Sequence, residues 1–587
     1  MKHYIILSAA LVTALLTFTA CDDLLHPEED FRMNREKVIA SPDYAEGLLA
    51  YVYLQMPYRT LRFDEVATDD AVSNDPSNSF RKMAAGGWSS TASAQNFWVS
   101  CYRSIMCINN FLSLIDEVKW KESEPALNEA FKQKFRGEAY ALRGIMKYYL
   151  IRNHGGKGTD GNILGIPIYD TFITDAEAFS TPRKSFEESV ASANDDFDKA
   201  IAALPMDYVD EADVPEKFAA LGVTADQYNR CFGSQFTQRI SARIVLAFKA
   251  RLALLAASPA FNESDSPSLW ETAANANAEV LKDLGGLDYL DPQGWQFWLK
   301  AQITDADLSQ GDKKDTKEMI WRRELQDIRD WEVDNYPPTD FGRGRINPTQ
   351  NFVDAFPMKT GYPITHPQSK YNPANPYSGR DPRLARMVVY DGSTQRNYIE
   401  IFDGTTDDAI DKTQYSTRTG YYLRKHLRND VVAEPSMLNT QKHVIPIIRA
   451  TEIFLNYAEA ANEAWGPDEK GEAGYSARDV IAAIRKRAAI NQPDRYLATI
   501  TTKEDMRKLI RNERRIELSF EGFRFWDIRR WNDVETMSEP AMGLRRAEDG
   551  SLEQFKVEDR DFKSHMIYGP IPFNEVLKFG FVQNQGW

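Results

Sequence analysis

The sequence predicts a mainly α protein, in which paired helices of tetratricopeptide-like kind form a scaffold under a large, irregular, loop-rich subregion with a few short strands. Three observations carry this expectation. Apolar residues recur at helical spacing in a series of separate stretches. Residues 287–449 lose that spacing and are rich in Pro, Gly, Asp, Asn and aromatics. The 587-residue chain has only four cysteines, so packing rather than a disulfide framework must hold it.

The chain opens on a targeting segment, Met1–Ala20. Lys2 supplies positive charge, Ile5–Leu16 is apolar but too short to span a bilayer comfortably, and Thr19-Ala20 are small. Phe18-Thr19-Ala20-Cys21 is similar to a bacterial lipobox, with Phe18 in place of the usual leucine, which makes Cys21 the expected site of lipidation. Acidic residues at 22–30 form an expected tether, so the protein is anchored to a membrane without crossing it. Residues 31–587 are read as one body, with scaffold at about 31–286 and 450–535 and the irregular subregion at about 287–449.

Along that body, Phe63–Ala94 is polar and turn-rich and predicts a long surface loop. Trp98, Tyr102, Ile105, Asn109 and Leu112 mark a helical stripe. Gly137–Arg152 is a helix with Ala139, Leu142, Met146, Tyr149 and Leu150 on one face. Its small residues Ala139, Ala141 and Gly144 let a neighbour approach closely. Further helices are expected at Ser185–Leu204 (stopped by Pro205), Arg239–Ala257, Trp270–Leu284, Glu452–Trp465 and Ala477–Ala489. Large-to-small alternation on their faces is how tetratricopeptide-like pairs stack, although no fixed-period repeat is visible. In the irregular subregion, short strands are expected near Arg386–Tyr390, Tyr398–Phe402 and Tyr421–Arg424.

The densest stretch is Arg511–Trp531, RNERRIELSFEGFRFWDIRRW. Ile510, Arg514, Glu517, Leu518 and Glu521 share one helical face, with Gly522 as the expected stop. Arg511, Arg514, Arg515 and Arg524 are close enough to pair with Glu513, Glu517 and Glu521. Two readings compete. A glycoside hydrolase needs two acids flanking a sugar, one with a raised pKa. A structural Arg–Glu lattice needs neither. Acids on a single helix face cannot flank a substrate, and adjacent arginines lower their pKa values, which favours the lattice.

The pattern Asn512-Glu513-Arg514-Arg515-x-Glu517-Leu518-x-Phe520-Glu521-Gly522-x-Arg524-x-x-Asp527-x-x-Arg530-Trp531 resembles the C-terminal signature of the RagB/SusD family, surface nutrient-binding lipoproteins of Bacteroidetes-type bacteria. Gly137-Glu138-Ala139, Asp381-Pro382-Arg383-Leu384, Tyr457-Ala458-Glu459-Ala460, Pro570-Ile571-Pro572 and the ending Gln583–Trp587 resemble its other blocks, in order. The resemblance implies a tetratricopeptide-like scaffold with long irregular insertions. It also implies capture of an oligosaccharide at the outer membrane, on the cell exterior, and its delivery to a SusC-like TonB-dependent transporter.

No motif for catalysis, phosphate binding or a cofactor is present: GxSxG, a P-loop, HExxH and CxxC are all missing. The histidines are scattered singly. Asp305, Asp307 and Asp312 miss the EF-hand glycine, so a solvated loop is expected there rather than a metal site. A net charge of −15 argues against nucleic acid. The rival readings are a secreted glycoside hydrolase and a surface peptide-binding or adhesion protein.

A sugar site needs exposed aromatic platforms and hydroxyl partners. Two stretches supply them, Asp64–Trp88 and Trp295–Arg345. Trp331 and Tyr336 are the first candidates, since Asp330, Glu332, Asp334 and Asn335 around them suggest a wet surface. Trp88 is next, with Asp69 and Arg343 for the hydroxyls. The competing reading is that each aromatic plugs the irregular subregion against the scaffold.

Overall fold

The computed structural model describes residues 35–57, 61–299, 302, 318–323 and 326–587. The targeting segment, Cys21, the acidic tether and the Asp305, Asp307 and Asp312 run lie outside the described residues.

The class is mainly α, as expected. Successive helices pack against one another from the N-terminal part onwards: Pro42–Leu54, Trp98–Leu114, Pro125–His154, Phe186–Ala203, Ala242–Ala257 and Pro267–Leu284. The row continues, across a long excursion of the chain, with Ala450–Trp465, which packs on Pro267–Leu284 and on the helices Ala477–Arg487 and Lys503–Glu517. One apolar core runs through the whole row.

Local chemistry explains the boundaries. Ser185 caps its helix reciprocally with Glu188: the Glu188 amide donates to Ser185 Oγ at 3.0 Å and the Ser185 amide to Glu188 Oε2 at 2.9 Å. At Gly144 a Cβ would come within 2.6 Å of the Phe197 ring, so the absence of a side chain is what allows Pro125–His154 and Phe186–Ala203 to pack this closely. Cys101, Cys107 and Cys231 are free and buried.

The excursion carries two-stranded ladders rather than a sheet. Met319–Arg322 pairs with Pro446–Arg449, Gln326–Ile328 with Gln441–His443, and Ala71–Ser73 with Ile346–Pro348. Two of the three expected strands exist and pair with each other, Val388↔Leu423 and Val389↔Tyr422. The third does not form. Around Tyr398–Phe402 there is a single bridge, Thr394↔Tyr398, and the amides of Ile401 and Phe402 donate to Asp391 Oδ1 at 2.7 and 3.0 Å instead of to a strand.

Two further expectations need correction. Phe63–Ala94 is not a surface loop throughout: the helical turn Asp64–Ala67 and the strand Ala71–Ser73 are fully enclosed. Asp69, between these two elements, is matched by arginines of the C-terminal signature, with Arg515 Nη2 2.7 Å from Asp69 Oδ2 and Arg524 Nη2 2.8 Å from the same oxygen. The signature itself is not one helix to Gly522. Lys503–Glu517 ends, the chain turns through Phe520 and Gly522 with φ of 56° and 78°, and a second helix covers Arg524–Arg530. The turn lets Phe520, Phe525 and Trp526 all be buried, which one continuous helix could not do.

The lattice is real, but Glu513, Glu517 and Glu521 do not pair with the expected Arg511, Arg514, Arg515 and Arg524; their partners come from elsewhere. Arg383 Nη1 lies 2.8 Å from Glu513 Oε2 and 3.0 Å from Glu517 Oε1. Arg485 takes Glu513 at 2.7 Å, Arg487 takes Glu517 at 3.1 Å, and Arg449 and Lys425 take Glu521 at 2.8 and 2.7 Å. Burial pushes the Glu517 carboxyl up, but Arg487, Arg383, Arg449 and Lys425 outweigh it and hold it below its usual value.

Candidate functional site

The lattice carboxylates offer no acid–base pair. Glu513 and Glu517 are 0% and 1% exposed, their oxygens are taken by arginines, and Glu521 is held at about 2 by Arg449 and Lys425 against the effect of burial. Among the described residues no group of three or more His, Cys, Asp or Glu is arranged to hold a metal. Among them, too, no helix is long and apolar enough to cross a membrane.

An open cleft of about 770 Å³ lies in the irregular subregion instead. This is within the size range of small-molecule sites. One wall is the short helix Asp330–Asn335, whose Asp330, Val333 and Asp334 face the cleft. Its other face is fastened inward. Glu332 Oε1 accepts from the Arg428 amide at 2.8 Å and lies 2.8 Å from His443 Nε2.

The helix runs into a tight loop built from Pro337-Pro338-Thr339-Asp340-Phe341-Gly342-Arg343-Gly344. Buried Asp340 accepts from the amides of Arg396 and Asn397 and from Asn397 Nδ2, at 3.0, 3.1 and 2.7 Å. A side chain at Gly342 would meet Tyr336 O at 2.1 Å, so glycine is required for the loop to close. The amides of Arg343 and Arg345 return to Val333 O and Asp334 O at 2.9 and 2.8 Å.

This bracing holds Phe341 at a φ of 63°, with the residue 51% exposed. A non-glycine residue in that region costs about 1–2 kcal/mol. An apolar ring kept in water by a strained backbone is an unusual expense in a fold, and such strain concentrates at binding sites. Across the cleft stand Tyr415, Gln414, Thr413 and Asp407, and Pro435 and Leu438 close one side. The guanidinium of Arg345 lies over the Tyr415 ring at 5.4 Å. Arg343 Nη1 reaches Asp334 Oδ1 at 3.1 Å on the cleft wall. The cleft thus combines aromatic and apolar surface with a rim of carboxylates, guanidinium groups, an amide and a hydroxyl. That is the equipment for a ligand with apolar faces and hydroxyl edges.

The expected site residues are distributed unevenly. Arg343 is in the cleft. Trp331 is half-buried behind the wall, edge-on to His443 at 5.0 Å. Tyr336, Trp88 and Asp69 are not the exposed groups expected. Tyr336 is 0% exposed, its hydroxyl donating to Arg428 O, and its apolar surroundings include Leu427 and Ala433. Trp88 is 5% exposed, 4.9 Å from the Trp587 ring and 5.7 Å from Phe525. Asp69 is 1% exposed, and although burial works to raise its carboxyl, Arg515 and Arg524 bring it down to about 2. The two loop-rich stretches do meet at one point: Asn74 Nδ2 donates to Arg343 O at 2.9 Å and Arg345 Nη1 to Asn74 Oδ1 at 3.2 Å. Tyr415, Gln414 and Leu438 are cleft residues outside both expected stretches, and Phe341 lies within Trp295–Arg345 but is not among the candidates taken from it.

Comparison with known proteins adds a second line of argument. Residues 301–587 match the model of the SusD family, and residues 23–228 match a SusD-like model described as starch-binding associating with outer membrane. SusD-like protein P38 of Formosa agariphila is 22% identical over 550 residues, covering 91% of this chain and 92% of that protein. The crystal structure of a SusD-like protein from Bacteroides fragilis superposes with a TM-score of 0.71 at 23% identity, covering 96% of this chain and 99% of the other. A SusD-like carbohydrate binding protein from the same species gives 0.67 at 22% identity, with 92% and 98% covered. Surface glycan-binding protein A from Bacteroides fluxus gives 0.58 at 17% identity, with 93% and 100% covered.

Proposed function

This chain belongs to the SusD family, and from that premise we propose that it is a non-catalytic glycan-binding lipoprotein, anchored through Cys21 to the outer membrane and facing the cell exterior. The observation that carries the reading is the exposed Phe341 ring, fixed by a strained and fully braced loop at a polar-rimmed cleft. In this reading a sugar ring lays its C–H face on Phe341, with Tyr415 as a second platform. Arg343, Asp334, Gln414 and Asp407 meet its hydroxyls. Trp331 supports the wall from behind.

The captured oligosaccharide is then passed to a SusC-like TonB-dependent transporter. The family membership supports this step. A glycan array with peptide controls, followed by calorimetry on the best glycan, tests the reading. Micromolar binding of an oligosaccharide that is lost in Phe341→Ala supports it. Peptide binding without glycan binding, or reducing ends released by the purified protein, overturns it.

A further inference from the structure

Beneath the C-terminal signature lies a narrow crevice of about 90 Å³, separate from the cleft, between the helices Pro125–His154, Ala242–Ala257 and Ala450–Trp465 and residues of 514–530. Five arginines and three carboxylates line it. The carboxylates are already engaged. Glu452 accepts from Arg251 Nε and Nη2 at 2.6 and 2.5 Å, and Asp527 accepts from Arg514 Nε at 2.6 Å and Arg530 Nε at 2.9 Å. Glu521 is held by Arg449 and Lys425.

The donors are not all engaged. Asn456 is 0% exposed, and its orientation is fixed because Arg514 Nη1 donates to its Oδ1 at 2.5 Å. Its Nδ2 therefore points elsewhere, and it finds no acceptor among the described residues. Arg251 Nη1 and Arg514 Nη2 likewise have no acceptor among them. The Asn456 amide N–H, buried without an acceptor, is the costly one. Water entering this space brings two donors of its own with each molecule, into a wall whose five arginines already outnumber its three carboxylates.

We propose that this crevice binds a small anion, a halide or a short carboxylate, on Asn456 Nδ2 and the free guanidinium nitrogens of Arg251 and Arg514. An anion brings acceptors and no donors, which is what the wall lacks. Glu452 and Asp527 face the same space, but each is neutralised by an arginine in that wall.

The test compares the full chain in sodium chloride, sodium formate and sodium gluconate at equal ionic strength. Gluconate is too large for the crevice. The expected result is a melting temperature roughly 1–3 °C higher in chloride or formate than in gluconate. Chloride NMR should also show excess line broadening in the presence of the protein. Chloride against formate distinguishes halide from carboxylate. Asn456→Asp places a negative charge on the site and should abolish both effects. Arg251→Lys keeps a cation for Glu452 but removes Nη1, and should reduce the broadening at least threefold even if Asn456→Asp fails to fold. Equal melting in the three salts with no excess broadening, or broadening unchanged in Arg251→Lys, overturns the proposal.

Discussion

Arg515 Nε donates to Asp70 Oδ1 at 2.6 Å, joining two residues 445 positions apart. The same helix places Glu513 and Glu517 against Arg383, and the following turn places Glu521 against Arg449. The signature is a junction between segments that are remote in sequence. Its charges are structural.

The first prediction follows. Glu517→Ala removes the buried carboxylate shared by Arg383 and Arg487, leaving Arg383 to Asp381 and Glu513 and Arg487 to Glu318, and breaking this buried network on one side should cost about 3–5 kcal/mol. Thermal or urea unfolding measures it. An unchanged midpoint with lost glycan binding would move Glu517 from the frame to the site.

Acid should loosen the same junction. Asp69, Glu459 and Glu521 each sit at about 2 in the folded protein, below ordinary values of 3.8 and 4.5. Depressed carboxylates contribute stability that is present above their unfolded values and is lost as pH falls through the folded ones. Each contribution is on the order of 2–3 kcal/mol. Stability should therefore drop steeply between about pH 4.5 and 2, as read by denaturant titration at fixed pH steps. A flat profile across that window would contradict the pairing.

At the cleft, Phe341→Ala should weaken oligosaccharide binding by about 1 kcal/mol or more, at least fivefold in Kd. Phe341→Gly should do the same while raising the melting point slightly, because glycine relieves the left-handed backbone. Calorimetry and a melt on each variant separate the two effects. Affinity retained in both variants would place the site elsewhere.

Trp88→Ala should behave in the opposite way. Its ring packs on Phe525, Trp587 and Arg529, and its Nε1 donates to Ser93 Oγ at 3.0 Å. Truncation should cost about 3–5 kcal/mol and leave glycan affinity alone.

The anchor is tested at its only reactive atom. Cys21→Ala should abolish labelling by palmitate and release the protein from the membrane fraction. Persistent labelling would refute lipidation at Cys21.

Much of the scaffold was legible in the sequence. Glu452–Trp465 and Gly137–Arg152 carry apolar faces long enough to impose a helix wherever they pack, and Gly144 marked a close approach correctly. The site was less legible. Asp69 and Trp88 sit in a polar, turn-rich stretch that suggests water, yet arginines more than 400 residues downstream neutralise Asp69 and Asp70, and these parts of the stretch are enclosed. Tyr336 was misplaced for a similar reason: its acidic neighbours suggest a wet surface, but the short helix turns Glu332 inward to His443 and takes Tyr336 with it. Tyr415 and Leu438 face Phe341 only because of the path of the intervening chain, and no local pattern encodes that. A signal for Phe341 did exist. A phenylalanine flanked by Pro337-Pro338 and Gly342-x-Gly344 has too little side-chain neighbourhood to be buried by its own loop.

The wiring of the signature also bears on how the protein reaches its folded state. Asp69 and Asp70 take their arginines from residues 513–524, and Arg383 and Arg485 take Glu513 from the same segment in addition to their nearer partners Asp381 and Asp494. Until that segment arrives, the earlier helices can stack through local contacts, but the irregular subregion lacks the part of its charged frame that Glu513, Glu517 and Glu521 supply. Docking of the two parts should thus come late and together, as one cooperative event. A chain truncated before Arg511 would be expected to keep helical signal yet remain open to proteases throughout 318–449.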